Sequence, residues 1–469
     1  MTVATLVILI LLLVLLLLML EVPVAFALGL SGALGLMLLH GSGYATSAMG
    51  GIPFTATASY SLSIVPMFIL MGVFAVRAKV ASSVYAFANF AASRLPGGVG
   101  VATVMACAGF AAVSGSSVGT AAVMSKLSIN EMRRYGYPDH LSSGLVAIAG
   151  TLGIMIPPSI MLVLYAILTQ ESVAKVLAAG IIPGILSAIA FSIYIIFAAR
   201  KYVPKAGVIQ DLRAAVAAQA GGGSGSAGAG GSAPSTPGEL RVERVTRVRD
   251  LPFRGILYMV LLFTIVMGGM YSGIVTATES AALGALAAFV MMLIEQRDTG
   301  LKGIWESIKE GLSSTASTTS MVFTVVIGSA ILSNFLVAAR VPDAVSGWVL
   351  GLDIPPMVSL ALLLAMLIPL GMALESYSIL FITVPILYPV ATQLGFDGIW
   401  LAVMVVKLIE IGLATPPVGI NCFVVSASGG VKLEQVFRGA LPLVVVDFGV
   451  LVLLYLVPGL SLWLPSLMQ

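Results

Sequence analysis

The chain has 469 residues, of which 59% are hydrophobic and 9% charged, and its mean hydropathy is +1.09. A soluble domain carries about 25% charged residues, so the composition excludes a soluble globular protein and implies a polytopic membrane protein. The formal net charge of +3 is too small to imply a nucleic-acid partner. Cys107 and Cys422 both lie in apolar segments and argue for neither a disulfide nor a compartment.

Residues 3–20 form an unbroken apolar run with no positive charge before it. A signal peptide would open on a basic region, so a retained transmembrane helix is expected. Further runs of spanning length fall near 22–39, 60–76, 176–199, 253–270, 275–294, 313–337 and 436–457. Gly29, Gly32 and Gly35 suit close helix packing. Residues 80–94, which end on Arg94, and 301–311, which carry charges at helical spacing, are expected to lie along the membrane surface.

Two stretches do not read as single spans. Residues 97–132 are apolar, then Ser114-Gly115-Ser116-Ser117, then helical again. Residues 355–390 repeat this with a polar apex at Met372-Ala-Leu-Glu375-Ser376-Tyr-Ser378. Each half-segment is about 15–18 residues, marginal for a span. Both read as helical hairpins that enter and leave on one side, the alternative being pairs of short spans.

Each hairpin is followed by an apolar segment interrupted by a double proline: Pro157-Pro158 within 138–170 and Pro416-Pro417 within 398–428. Proline removes a backbone donor and clashes with the preceding turn, so each helix must break. In lipid such a break is tolerated only where the backbone is buried or lines a cavity. An offset of 259 residues carries Gly136 onto Gly395, Gly153 onto Gly412, Pro157-Pro158 onto Pro416-Pro417, Gly180 onto Gly439 and Pro183 onto Pro442. Glycine and proline encode backbone shape, so this is a structural repeat rather than a pair of packing kinks. The first repeat covers 1–200 and the second 253–469. Between them, 201–252 contains a Gly/Ser-rich run that cannot bury a core and reads as a flexible linker.

Nine of the 23 Lys and Arg residues fall within 200–254, which places that loop in the cytoplasm. The first hairpin then opens to the cytoplasm, where its exit carries Lys126, Arg133 and Arg134. The second opens outward, where 385–399 holds only Asp397. The repeats are therefore expected to be inverted and the C-terminus to be periplasmic. Inverted repeats with broken helices meeting at the midplane are secondary-transporter architecture. The predicted fold is an all-α polytopic membrane protein of the elevator-type ion-transporter kind, each repeat holding one hairpin and one broken helix.

Broken helices expose carbonyls, which together with hydroxyls suit a small hard cation. One candidate cage comprises Ser114, Gly115, Ser116, Ser117 and Thr120 with Gly150, Thr151 and Ile156. Its counterpart comprises Gly371, Met372, Glu375 and Ser376 with Gly412 and Thr415. Helix N-termini after the breaks, at Ser116-Ser117, at Ser159 and at Gly419 to Asn421, offer unpaired N–H groups to an anionic substrate. The bland alternative for each hydroxyl is a bond to its own helix backbone. Glu375, Lys407 and Glu410 are charges inside spans. Lys407 and Glu410 share a helix face, so they form either a structural ion pair or a coupling or substrate contact. Gly115-Ser116-Ser117-Val118-Gly119 matches a nucleophile elbow, but it lacks the strand–turn–helix context and a His partner, His140 lying near the cytoplasmic surface. No catalytic residues are expected, no cofactor, and, without a P-loop, no use of ATP.

The motifs together resemble the large membrane subunit of tripartite ATP-independent periplasmic (TRAP) transporters. They are Ser114-Gly-Ser-Ser117, Gly150-Thr-Leu-Gly-Ile-Met-Ile-Pro-Pro-Ser159 and Ala179-Gly-Ile-Ile-Pro-Gly184 in the first half. In the second they are Gly273-Ile-Val-Thr-Ala-Thr-Glu-Ser-Ala-Ala282, Gly371-Met-Ala-Leu-Glu-Ser376 and Glu410-Ile-Gly-Leu-Ala-Thr-Pro-Pro-Val-Gly419. The resemblance covers nearly the whole chain except the linker, which is longer than the family's, and Glu375 stands where the family more often has Asp. It implies a Na⁺-driven elevator importer in the bacterial inner membrane, with Na⁺ as coupling ion near the hairpin tips and broken helices. It further implies organic-acid substrates such as C4-dicarboxylates or sialic acids, delivered by a periplasmic binding protein, and a separate small four-helix membrane subunit. The alternatives are a stand-alone elevator-type anion or dicarboxylate symporter, a channel, or a purely structural membrane subunit.

Overall fold

A computed structural model describes residues 2–93, 95–202, 253–351 and 354–468. The linker expected over 201–252 lies almost wholly outside the described residues, as does Arg94. Among the described residues every regular element is helical, and six helices are long and apolar enough to cross a membrane.

The first half comprises α1 (Val3–Met19), α2 (Val24–His40), α3 (Ser42–Thr57), α4 (Ile64–Arg77), α5 (Val80–Ala92), α6 (Gly98–Ser114), α7 (Ser117–Arg134), α8 (Asp139–Ala149), α9 (Ile160–Thr169) and α10 (Val173–Tyr202). The second comprises α11 (Phe253–Tyr271, with a π-helical turn at Thr264–Gly268), α12 (Ala277–Gln296), α13 (Gly300–Ala338), α14 (Val341–Leu350), α15 (Pro356–Ala365), α16 (Leu367–Ala373), α17 (Ser376–Gln393), α18 (Gly398–Leu413), α19 (Ile420–Gly429), α20 (Leu433–Leu456) and α21 (Gly459–Ser466). Both expected hairpins form, as α6–α7 and as α15/α16–α17, and both broken helices form, as α8–α9 and α18–α19. The two double prolines are the cis peptide bonds of the described chain.

Two layers organise these helices. The first is built on α2 and α13. On α2, Gly29 meets Gly328, Gly32 the backbone of Leu332 and Gly35 the ring of Phe335, so the glycine row lets the two backbones approach. α1 covers this pair through Leu6, Ile10 and Val14. α4 and α12 extend the layer, with Gly284 against Met71. The second layer holds the hairpins, the broken helices, α10 and α20. Gly144 of α8 and Gly439 of α20 cross so closely that neither has room for a Cβ.

Two surface expectations change. Residues 301–311 are not a separate element. They form the first turns of α13, a single helix of 39 residues and about 58 Å, well beyond a hydrocarbon core of about 30 Å. No proline interrupts it, and at Gly311, where a Cβ would lie 2.6 Å from the Phe74 ring, the missing side chain lets α4 approach. The expected surface helix over 80–94 forms as α5 but does not rest free: it buries Val80, Ala81, Val84, Tyr85, Ala88 and Ala92. The short helices α3, α14 and α21 had no sequence expectation. In α3, Gly43, Gly50, Gly51 and Pro53 mask the helical signal.

Gly439→Val should cost about 1–3 kcal/mol or more through overpacking, read as a lower melting temperature in detergent. Gly449→Ala on the same helix meets open space and should leave that temperature unchanged or raise it.

Candidate functional site

The two hairpin tips meet the two breaks through short loops. At the first tip α6 ends on Gly115, whose φ of +61° is left-handed. A Cβ there would lie 2.7 Å from the Pro158 carbonyl oxygen, so only glycine allows the tip to touch the break. Ser116 then caps α7, its Oγ accepting from the Gly119 N–H at 3.2 Å. A 3₁₀ turn at Gly150–Ile154 ends α8 and lies against α7, because Gly150 and Gly153 leave room for Ala121, Ser116 and Thr120. Ser159 caps α9, accepting from Leu162 N–H and donating to the Ile154 carbonyl at 2.5 Å.

The Ser114 and Thr120 hydroxyls lie 2.6 Å apart beside the Ser116 carbonyl, 3.5 Å from the Ser114 Oγ. These donors are all oxygen, uncharged and largely buried, the chemistry that a small hard cation takes. The Thr151 hydroxyl is committed elsewhere, reaching the Ile148 carbonyl at 2.7 Å and Glu410 Oε1 at 2.5 Å. The Ile156 side chain packs on Gly184.

At the second tip Glu375 caps α17. Its Oε1 accepts from the Ser378 N–H at 3.0 Å and the Ser378 hydroxyl at 2.7 Å. Gly371 and Gly412 face each other so closely that a Cβ on Gly371 would lie 2.8 Å from the Gly412 Cα, while Met372 is half-buried. The Thr415 hydroxyl donates to the Ile411 carbonyl at 2.6 Å. Gly419, at φ +55°, opens α19 beside the Phe437 ring. Asn421 is fully buried; its Nδ2 reaches the Ala147 carbonyl at 3.5 Å, and its Oδ1 has no partner.

Between the tips lies a cavity of about 430 Å³. Ser114, Ser116 and Ser117 line it from one tip, and Glu375, Ser376 and Tyr377 from the other. Gly72 and Val76 of α4, and Ser314, Thr318 and Met321 of α13, close the far side. Among the described residues, Glu375 is the one charged group in this lining. Ser159, Gly419, Asn421, Lys407 and Glu410 do not line it; Ile160 and Ile420, first residues of α9 and α19, stand there instead. The sequence reading missed Ser314 and Thr318. Their signal was the hydroxyl-rich run from Ser313 to Ser320 inside an apolar span.

Lys407 and Glu410 belong to a buried charge cluster behind the tips. Lys407 Nζ lies 2.8 Å from Glu410 Oε2, 2.6 Å from Asp447 Oδ1 and 2.9 Å from Ser187 Oγ, with every charged side chain at most 3% exposed. Asp447 also escaped the sequence reading, although a carboxylate inside the apolar run 436–457 was a visible signal. Removing one partner of a buried pair leaves uncompensated charge and costs about 3–5 kcal/mol. Lys407→Met should therefore lower the detergent melting temperature sharply, and adding Asp447→Asn should restore part of the loss.

The family model described as "Tripartite ATP-independent periplasmic transporter, DctM component" matches residues 10–460. The C4-dicarboxylate TRAP transporter large permease protein DctM of Pseudomonas aeruginosa is 34% identical, over 94% of this chain and 94% of that protein. The sialic acid TRAP transporter large permease SiaM of Vibrio cholerae is 30% identical over 95% of each. Among solved structures, the YdaH transporter of Alcanivorax borkumensis matches with a TM-score of 0.59 at 14% identity, covering 92% of this chain and 91% of that one, which is a likeness of fold. With that match over nearly its full length, its hairpins and its paired breaks, the chain belongs to the DctM family, the large permeases of tripartite ATP-independent periplasmic transporters, and is a multi-pass membrane protein.

Proposed function

We propose that this permease takes up an organic acid, a C4-dicarboxylate or a sialic-acid-like carboxylate, driven by Na⁺ across the bacterial inner membrane. The observation that carries this reading is the cavity between the two hairpin tips, closed on its far side by α4 and α13, whose largely apolar wall carries hydroxyls of Ser114, Ser116, Ser117, Ser376, Ser314 and Thr318. Relatives named for C4-dicarboxylates and for sialic acid support the substrate class. The oxygen donors around Ser114, Ser116 and Thr120, and the backbone near Gly371 and Gly412, support a cation at each tip. Na⁺ there would supply the positive charge that a carboxylate needs, since among the described residues no Lys, Arg or His lines the cavity.

The hairpins and broken helices move as one block against α2, α4 and α13, which is the elevator mechanism. Support comes from the seam between them, where Gly72 of α4 faces the Ser114 backbone with no side chain in between. The two repeats are inverted, with the linker cytoplasmic and the C-terminus periplasmic. High-affinity capture belongs to a periplasmic binding protein, because the cavity offers no Arg to grip a carboxylate bidentately. A small membrane subunit steadies the outer layer.

Proteoliposomes should accumulate substrate only with this chain, the small subunit, the binding protein and a Na⁺ gradient together, and choline should not replace Na⁺. Saturable uptake by this chain alone at micromolar substrate would instead establish the stand-alone symporter; flux without saturation or ion coupling would establish a channel. Inversion is tested separately. Arg134 and Gln393 occupy equivalent places after the two hairpins and both are exposed, while the native Cys107 and Cys422 are buried. Arg134→Cys should label from the cytoplasm and Gln393→Cys from the periplasm with an impermeant thiol reagent. Labelling of both from one side rejects the inverted arrangement.

A further inference from the structure

Thr151 and Glu410 stand 259 residues apart, the offset that relates the two halves, and their side chains meet at 2.5 Å. Equivalent positions touch each other only near a symmetry axis, so this hydrogen bond lies between the two candidate cation cages. On one side, Thr151 is part of the 3₁₀ turn that backs the first cage. A Cβ on Gly153 would lie 2.9 Å from Thr120 Oγ1, and one on Gly150 2.9 Å from the Ala121 Cβ. No slack separates this turn from the first tip. On the other side, Glu410 is two residues before Gly412, whose backbone rests on Gly371 of the second tip. Glu410 cannot swing freely, because Lys407 holds its Oε2 and is itself held by Asp447 and Ser187.

We propose that the Glu410 carboxylate couples the two cation cages. It acts as a positioning residue that fixes the 3₁₀ turn of the first half from a helix of the second. A cation in either cage draws carbonyl and hydroxyl oxygens inward. In the first cage that shifts the turn carrying Thr151; in the second it shifts the end of α18 carrying Glu410. The shared bond transmits either shift, so the first ion bears the ordering cost and the second binds more tightly. Coupling of this kind typically changes affinity about 5–150-fold. Lys407, itself held by Asp447 and Ser187, serves it by fixing Glu410 in place, with the Thr151 hydroxyl at the other carboxylate oxygen. The proposal rests on the Na⁺ reading above, and its test separates the two.

The purified full-length chain is titrated with NaCl against choline chloride at constant ionic strength, and its melting temperature is followed. The wild-type rise should be sigmoidal in Na⁺. In Thr151→Val, and in Glu410→Gln, the rise should become non-cooperative, with the half-maximal Na⁺ concentration raised several-fold. Thr151→Ser keeps the hydroxyl and should stay sigmoidal. A merely structural role would lower the melting temperature at every concentration and leave the shape unchanged. A sigmoidal rise retained in Thr151→Val, or a non-cooperative rise in the wild type, overturns the coupling while leaving Na⁺ binding intact. Equal response to Na⁺ and choline in the wild type removes the Na⁺ reading itself and this proposal with it. Should Glu410→Gln fail to accumulate, the Val and Ser substitutions at Thr151 decide the matter alone.

Discussion

A helix broken inside a bilayer frees N–H and carbonyl groups that lipid cannot satisfy, and the rest of this architecture follows from where those groups find partners. The chain breaks four helices near one level: two at hairpin tips and two at double prolines. At three of these sites a side chain caps the restarted helix. Ser116 accepts from Gly119, Ser159 from Leu162 and Glu375 from Ser378. Such caps are worth about 1 kcal/mol each in ordinary settings. The same Ser159 hydroxyl, and one further hydroxyl on Thr415, return a hydrogen bond to a carbonyl just before the break.

Close approach of backbones is the second requirement, and glycine supplies it at defined crossings. Gly144 meets Gly439, Gly371 meets Gly412 and Gly115 meets Pro158. In each case a methyl group would have to occupy space held by a neighbouring main chain. The last two crossings tie hairpins to broken helices, and the first ties a broken helix to α20. At the contact with the outer layer, Gly72 faces the Ser114 backbone beside the cavity, within a buried apolar core that α4 and α13 share with the hairpins and broken helices.

The charge cluster adds a third element. Burying Lys407, Glu410 and Asp447 together is expensive, and it is compensated only because each carboxylate meets the ammonium within 2.8 Å. Such a cluster contributes little net stability compared with an apolar core of the same shape. It does specify a single relative placement of α10, α18 and α20, and through Thr151 it pins the broken helix of the first half to that of the second.

Much of this was legible in the residues. Composition set the membrane class, proline pairs marked the breaks, Gly/Ser apices marked the hairpins, and the glycine row of α2 marked a close helix crossing. These signals are local, because backbone conformation and burial depend on a residue's own covalent nature and its near neighbours. The sequence by itself also placed Lys407 and Glu410 on one face, leaving open whether they form a structural pair or serve substrate and coupling. What only the tertiary structure decided was which groups meet across the two halves. Thr151 turned its hydroxyl to Glu410, Asp447 completed the ion cluster from a helix that read as plain lipid-spanning, and Ser314 and Thr318 on α13 joined the cavity wall. The close approach of α4 to α13 at Gly311, where the Phe74 ring leaves no room for a Cβ, was likewise visible only in the tertiary structure. A hydroxyl or carboxylate has several partners of similar energy within reach of its own helix. Only the packing of segments far apart in the chain selects among them.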